Sequence, residues 1–285
     1  MTDQLTPVPA DVPAYEAGRW EFPPPSVVLD AAYFDRPNPA GVQNFLLDGH
    51  DHSSSDRRMA AVLLAADPKA RLAARIAYRH RETALTYLAA KHRIRQVLVG
   101  GCGYPVEPYP HTVVGRYGPC RVVYADTDPV TLAYAHAAMS LSPLGHSGFV
   151  LADLSQPASL TGSRVREVID FSQPVAVLLH HVLHLMPDPY GPLAGLKAML
   201  ASGSALSITH PTGDLHPRHV DAAVAATAAG MPVYLRSRDE IEELCAGWRL
   251  ERNGVEPVSR WGRDRRTVPG GGTSSAAYAV IALKP

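Results

Sequence analysis

Residues 122–136 read VVYADTDPVTLAYAH, a β-branched apolar run that stops at two carboxylates, Asp126 and Asp128, ahead of a proline and a helical pattern. The run from Val122 to Ala125 has the composition of a strand buried on both faces. Pro129 suits the first turn of a helix, where its missing N–H costs nothing. A carboxylate at the tip of a buried strand is costly without a partner, so Asp126 needs a donor from the chain or from a ligand. Strand, acidic tip and helix together make half of a parallel crossover unit, and that reading sets the fold class.

The same texture recurs on both sides. The runs QVLVG (96–100), GFVLA (148–152), PVAVLL (174–179) and SALSIT (204–209) are each followed by a segment long enough for a helix. This pattern predicts an α/β fold with a Rossmann-like, doubly wound and mostly parallel sheet. The end of the chain differs: WRLERNGVEPVSRW (248–261) and SSAAYAVIALKP (274–285) read as strands with only a glycine-rich turn, PGGGTSS (269–275), between them. An antiparallel closing hairpin is expected there. Upstream, RRMAAVLLAA (57–66) and TALTYLAAKH (83–92) place apolar groups at helical spacing, which predicts two or three helices forming a cap before the first strand. The first 26 residues are rich in proline and carry Trp20 and Phe22, as an extended arm docking through its aromatics would. The expected division is therefore an arm and helical cap over 1–90 and the Rossmann-like domain over 91–285.

Lysine plus arginine and aspartate plus glutamate are balanced at 27 each, so no overall field draws nucleic acid or an anionic membrane. The short basic cluster GRDRR (262–266) reads as a solvated turn. Three widely spaced cysteines give neither a disulfide framework nor a CxxC metal signature. No window approaches about 18 uninterrupted apolar residues, and no basic segment followed by an apolar stretch opens the chain. A cytoplasmic protein acting on a small molecule is the expectation, with a homodimer as a possible assembly.

In open parallel sheets, ligands bind beyond the carboxyl ends of the strands, so the residues after each run carry the chemistry. Gly101 and Gly103 let the backbone turn sharply and approach a ligand closely. Pro105, Pro108 and Pro110 delay the next helix, which argues against a pyrophosphate resting on a helix N-terminus there. Asp126 follows Gly103 by 23 residues, close to the offset of roughly 20 at which an acid accepts hydrogen bonds from ribose hydroxyls. Asp128, just before Pro129, reads as a helix cap or as a second ligand. Asp153 in ADLSQP suits the exocyclic amine of an adenine, or a turn. A nucleoside accounts for all three tips.

After the fourth run stands HHVLHLMPDP, and His180, His181 and His184 lie where a substrate would meet that nucleoside. An imidazole suits removal of a proton from an attacking O–H or N–H group. His180 and His184 are four apart, but no acidic or cysteine ligand stands at a matching spacing, so no metal site is expected. His210 is a candidate to point inward; His216 and His219 read as surface positions. The expected cofactor-binding set is Gly101, Gly103, Asp126, Thr127, Asp128, Asp153, Leu154 and His180, and the expected catalytic pair is His181 and His184.

The blocks from RVVYADTDPVTLAYAHAAM through ADLSQP, FSQPVAVLLHHVLHLMPDPYGPLAGLKAML, SGSALSITHPTGD and LRSRDEIEEL to GVEPVSRW together resemble a bacterial family of S-adenosylmethionine-dependent methyltransferases of the Rossmann-like class. The likeness runs from about Pro37 to Pro285. It implies a seven-stranded sheet with the last strand inserted antiparallel, a helical region over the cofactor, and S-adenosyl-L-methionine as that cofactor. By position it assigns Gly101 and Gly103 to the methionine moiety, Asp126 to the ribose and Asp153 to the adenine side. The chain departs from the family at Val99, where an acidic residue is usual, at Ala77 and Tyr78 in place of an Asn-Arg pair, and over Gln43 to His52 in place of a Tyr-Asp-Tyr-Leu-Leu-Gly-Gly-Lys-Asp-Asn run.

The first functional expectation is methyl transfer to an oxygen or nitrogen of a small molecule, by direct displacement at the sulfonium methyl. Two alternatives stay open on the sequence: altered chemistry in the same scaffold, such as cyclisation of the cofactor side chain, and a non-catalytic cofactor-binding protein.

Overall fold

The structure, a computed structural model, describes residues 32–139, 146–262 and 275–285. The aromatic arm, the basic cluster and most of the glycine-rich turn lie outside them. Among the described residues, three α-helices precede the first strand: α1 (Pro39–Leu46), α2 (Ser54–Ala66) and α3 (Ala70–Lys91). Asn38 caps α1 by accepting the Ala40 N–H, with Pro39 in the first turn. Ser53 and Asp56 form a reciprocal capping box that starts α2. Asp56 also accepts the Asn38 N–H at 2.7 Å, so one buried carboxylate joins the starts of both helices.

The sheet then builds as a mostly parallel Rossmann-like sheet, with eight strands where seven were expected. The strands are β1 (Gln96–Gly100), β2 (Arg121–Asp126), β3 (His146–Leu151), β4 (Val175–His180) and β5 (Ala205–Pro211). Between them stand α4 (Pro110–Gly115), α5 (Pro129–Met139), α6 (Ser163–Arg166) and α7 (Tyr190–Met199), and after β5 come α8 (Pro217–Ala228) and α9 (Arg238–Leu244). The chain closes with β6 (Arg249–Leu250), β7 (Glu256–Pro257) and β8 (Ala277–Leu283). Strand order is β3-β2-β1-β4-β5-β8-β6, with β7 also paired to β8. Strands β1 to β5 are parallel, and β8 runs antiparallel between β5 and the short pair. The expected strand over 248–261 is two pieces because Arg252 and Gly254 turn into the left-handed region at φ +55° and +75°, which breaks the ladder between β6 and β7.

Successive strand residues alternate between two apolar layers. Val97, Val99, Val122, Tyr124 and Leu178 face a layer shared with Leu85 and Leu88 of α3. Leu98, Val123, Val177 and Leu179 face the other, against Leu193 and Leu196 of α7. Both faces are covered, which is why these runs contain no polar alternation. Helices α1 and α2 pack elsewhere: Val42, Leu46, Met59 and Ala60 form a third cluster with Ala226 of α8 and Met231. The cap thus leans on α8, and α3 ties it to the sheet. The registers Asp126↔Leu151 and His180↔Thr209 bring the carboxyl ends of the parallel strands side by side beneath this cap.

Candidate active site

A cleft of about 770 Å³ opens at those strand ends, between the sheet and the cap. Gly101, Gly103, Asp126, Thr127, Asp128, Asp153, Leu154, His181 and His184 all line it. A second, small pocket of about 40 Å³ adjoins it, walled by Val99, Cys102, Arg81, Gln43 and His180, and shares Gly101, Gly103 and His181 with the cleft. The first turn needs its glycines: Gly101 and Gly103 sit at φ +65° and +66°, and a Cβ on Gly101 would stand 2.4 Å from Val182.

Asp126 ends β2 with its carboxylate held in the turn. Gly103 donates its N–H to Oδ2 and Asp128 donates its N–H to Oδ1, each at 3.1 Å. Burial raises its pKa, and these N–H groups pull it back. The Thr127 N–H also acts on this carboxylate and the Cys102 thiol lies against it, while no arginine occupies it among the described residues. Asp128 is committed differently. Oδ1 accepts the Val130 N–H and Oδ2 accepts the Thr131 hydroxyl, so it caps α5. Oδ2 also takes Tyr33 Oη and Asn38 Nδ2, tying the start of the cap to the cleft. Asp153 makes a turn by accepting the Ser155 N–H at 2.8 Å, and it lines the cleft as well.

The histidines divide. His180 Nε2 pairs with Ser207 Oγ at 2.9 Å and its ring lies 5.8 Å from that of buried His80. His210 is fully buried and tied at both nitrogens: Nδ1 donates to Pro211 O, and Nε2 accepts from Arg236. It points inward, as a support for the fold. His181 and His184 face the cleft with Nε2 and Nδ1, respectively, lacking a hydrogen-bond partner among the described residues. Burial pushes His181 down to about 4, and burial together with His181, His210 and Arg236 holds His184 well below the usual imidazole range. Both are neutral near pH 7. His181 adopts φ +53°, a left-handed conformation costing a non-glycine residue roughly 1–2 kcal/mol, so the loop is over-determined at this point.

Arg236 supplies much of that determination, and the sequence pattern did not single it out. It is 5 % exposed; Nη1 donates to Leu183 O, and Nη2 donates to Met186 O and Pro187 O. One guanidinium thus clamps the loop bearing His184 to the end of β5. Arg81 is a second such residue. One turn beyond Tyr78 on α3, it bonds Tyr78 Oη, Val106 O and Pro108 O and presents positive charge at the small pocket. His219 corrects an expectation outright: it is 8 % exposed and lines the cleft, because α2 packs against the start of α8 and covers it. Its Nε2 lies 3.8 Å from Oδ2 of Asp67, itself 4 % exposed. No group of three or more metal-ligating side chains comes together among the described residues.

The sequence matches the S-adenosyl methyltransferase family over residues 29–285. The chain belongs to that family. Among solved structures it is similar to a DUF574 family protein from Streptomyces avermitilis, with 29 % identity, a TM-score of 0.83, and 88 % of this chain and 99 % of that chain covered. A protein from Thermobifida fusca assigned as a methyltransferase matches at 28 % identity and TM-score 0.80, over 88 % of this chain and 96 % of that one. The CMeT domain of the citrinin polyketide synthase shares the fold alone, at 15 % identity and TM-score 0.53, over 86 % of this chain and 60 % of that chain. None of the curated proteins matches the chain.

This methyltransferase therefore takes S-adenosyl-L-methionine, and its cleft fits that cofactor. The carboxylate of Asp126 lines the cleft at a strand tip, and the glycines beside it turn with positive φ. Arg81, three residues beyond Tyr78 on α3, places a guanidinium at the small pocket. Val99 leaves the floor of the small pocket without a charge of its own. No helix among the described residues is long and apolar enough to cross a membrane.

Proposed function

We propose that this enzyme methylates an oxygen or nitrogen of a small molecule held in the cleft, with His181 or His184 receiving the proton released by the nucleophile. The observation that carries the reading is the position of His181, which lines both the pocket beside the two glycines and the large cleft and has a free Nε2. In this reading Asp126 accepts the ribose hydroxyls, Asp153 with Leu154 and Thr127 borders the adenine, and Gly101 and Gly103 admit the methionine moiety. His180 backs the small pocket, and Arg81 faces the cofactor's carboxylate. Asp128 contributes by fastening the cap, through Tyr33 and Asn38, to the cofactor side of the cleft.

Bound S-adenosylmethionine supplies a methyl group already activated by positive charge on sulfur. What remains for the chain is alignment, exclusion of water and a place for one proton. Helices α1 and α2 cover the cleft, while neutral His181 and His184 accept a proton without repelling the sulfonium. The largely apolar lining suits a small acceptor.

The test incubates purified protein with methyl-labelled cofactor and a panel of small hydroxylated and aminated compounds. S-adenosylhomocysteine and a labelled product are expected. Methylthioadenosine instead would mean attack within the cofactor's own side chain, the outcome for which uncharged Val99 leaves room.

A further inference from the structure

Four carboxylates line the cleft, those of Asp67, Asp126, Asp128 and Asp153, against Arg36 as the one arginine or lysine among its described lining residues. Three have work in the reading above. Asp67 does not. It ends α2, and its Oδ1 accepts the Lys69 N–H at 2.9 Å, which steadies the start of α3. Its Oδ2 receives no hydrogen bond from any described residue and faces His219 Nε2 at 3.8 Å. That distance is too long for a direct hydrogen bond, yet one donor atom can sit about 2.8–3.0 Å from both atoms at once.

His219 stands beside this carboxylate. Burial, the largest influence, lowers its pKa against the opposing pull of Asp67 and the Thr212 backbone, and His216 adds to the lowering. His216 itself is occupied, accepting the Arg218 N–H at the cap of α8. His219 Nδ1 is buried without a partner. The surrounding wall is apolar: Leu63, Ala74, Met231 and Val233 line the same cleft. The site is thus a buried carboxylate beside a buried imidazole on an apolar wall.

We infer that Asp67 and His219 anchor a protonated amine carried on an apolar body, and that this amine belongs to the molecule being methylated. The inference rests on the small-molecule reading of the cleft and adds the chemical class. A buried carboxylate is costly unless paired with charge, and charge-assisted hydrogen bonds are roughly twice as strong as neutral ones. An ammonium has three donors, enough to serve Oδ2 and Nε2 together, whereas a hydroxyl has one. An anionic acceptor would meet Asp67 unfavourably.

Calorimetry on the full chain tests this with 2-phenylethylamine and its uncharged counterpart 2-phenylethanol, each with and without saturating S-adenosylhomocysteine. The amine is expected to bind at least tenfold more tightly than the alcohol. D67N, which keeps an oxygen for the Lys69 N–H, should abolish the preference and leave S-adenosylhomocysteine affinity unchanged. H219Q, which leaves Asp67 in place, should weaken the amine at least threefold. Equal binding of amine and alcohol, no amine binding, or a preference that survives D67N overturns the anchor. Failure of the wild-type protein to bind S-adenosylhomocysteine would instead contradict the methyl-transfer reading, and the comparison without nucleoside would still judge Asp67 and His219.

Discussion

His181 carries a local contradiction: a bulky residue held at φ +53°, where glycine is at ease. Replacing it with glycine should relieve roughly 1–2 kcal/mol of backbone strain, which offsets lost ring packing. H181G is therefore expected to unfold within about 1 kcal/mol of the wild-type stability, while kcat for methyl transfer falls about 10²- to 10⁴-fold. Urea titration and a product assay read the two effects separately. A variant that is both stable and fully active would remove His181 from the chemistry. The strand-tip residues were legible because a parallel sheet gathers the residues after each run at one edge, and Asp126, Asp153, His181 and His184 all line the cleft. His219 was not, because a histidine just after a proline at a helix start has the pattern of an exposed first turn. Helix α2, far back in the chain, packs against α8 and brings Asp67 to it.

At the scale of elements, the loop after β4 and the end of β5 are joined by Arg236. A single guanidinium holding three carbonyls and His210 is a packing device that periodicity cannot reveal, since its partners come from separate crossovers. Removing it leaves buried carbonyls without donors. R236A should lose about 2–4 kcal/mol of stability. It should also lower kcat more than it weakens S-adenosylhomocysteine, because the clamp positions the His184 loop and touches none of the ribose ligands. A kcat unchanged in the folded variant would show that the loop holds its own geometry. The five parallel strands were legible from composition almost to the residue. The division of the next strand into β6 and β7 was not, since it depends on Arg252 taking a left-handed conformation that its side chain does not advertise.

The molecule as a whole is built around histidines that burial keeps neutral. His80 and His210 are pushed down to about 3 and His181 to about 4, against roughly 6.5 in an unfolded chain. Between pH 6.5 and 4 the unfolded chain binds protons that the fold refuses, so stability falls as pH falls through that window and levels off above it. Urea midpoints should drop by the equivalent of at least about 2 kcal/mol between pH 7 and pH 5. A flat profile would mean that these imidazoles are more open to water than the fold places them. The same folded frame carries the nucleoside cradle on which the functional account depends. Its most direct measurement is calorimetric titration of S-adenosylhomocysteine into the wild-type protein and D126A. Charge-assisted bonds to two ribose hydroxyls predict saturable wild-type binding and a loss of at least about 3 kcal/mol, more than a hundredfold in Kd, in the variant. Equal affinity in the two proteins would contradict the account at its centre.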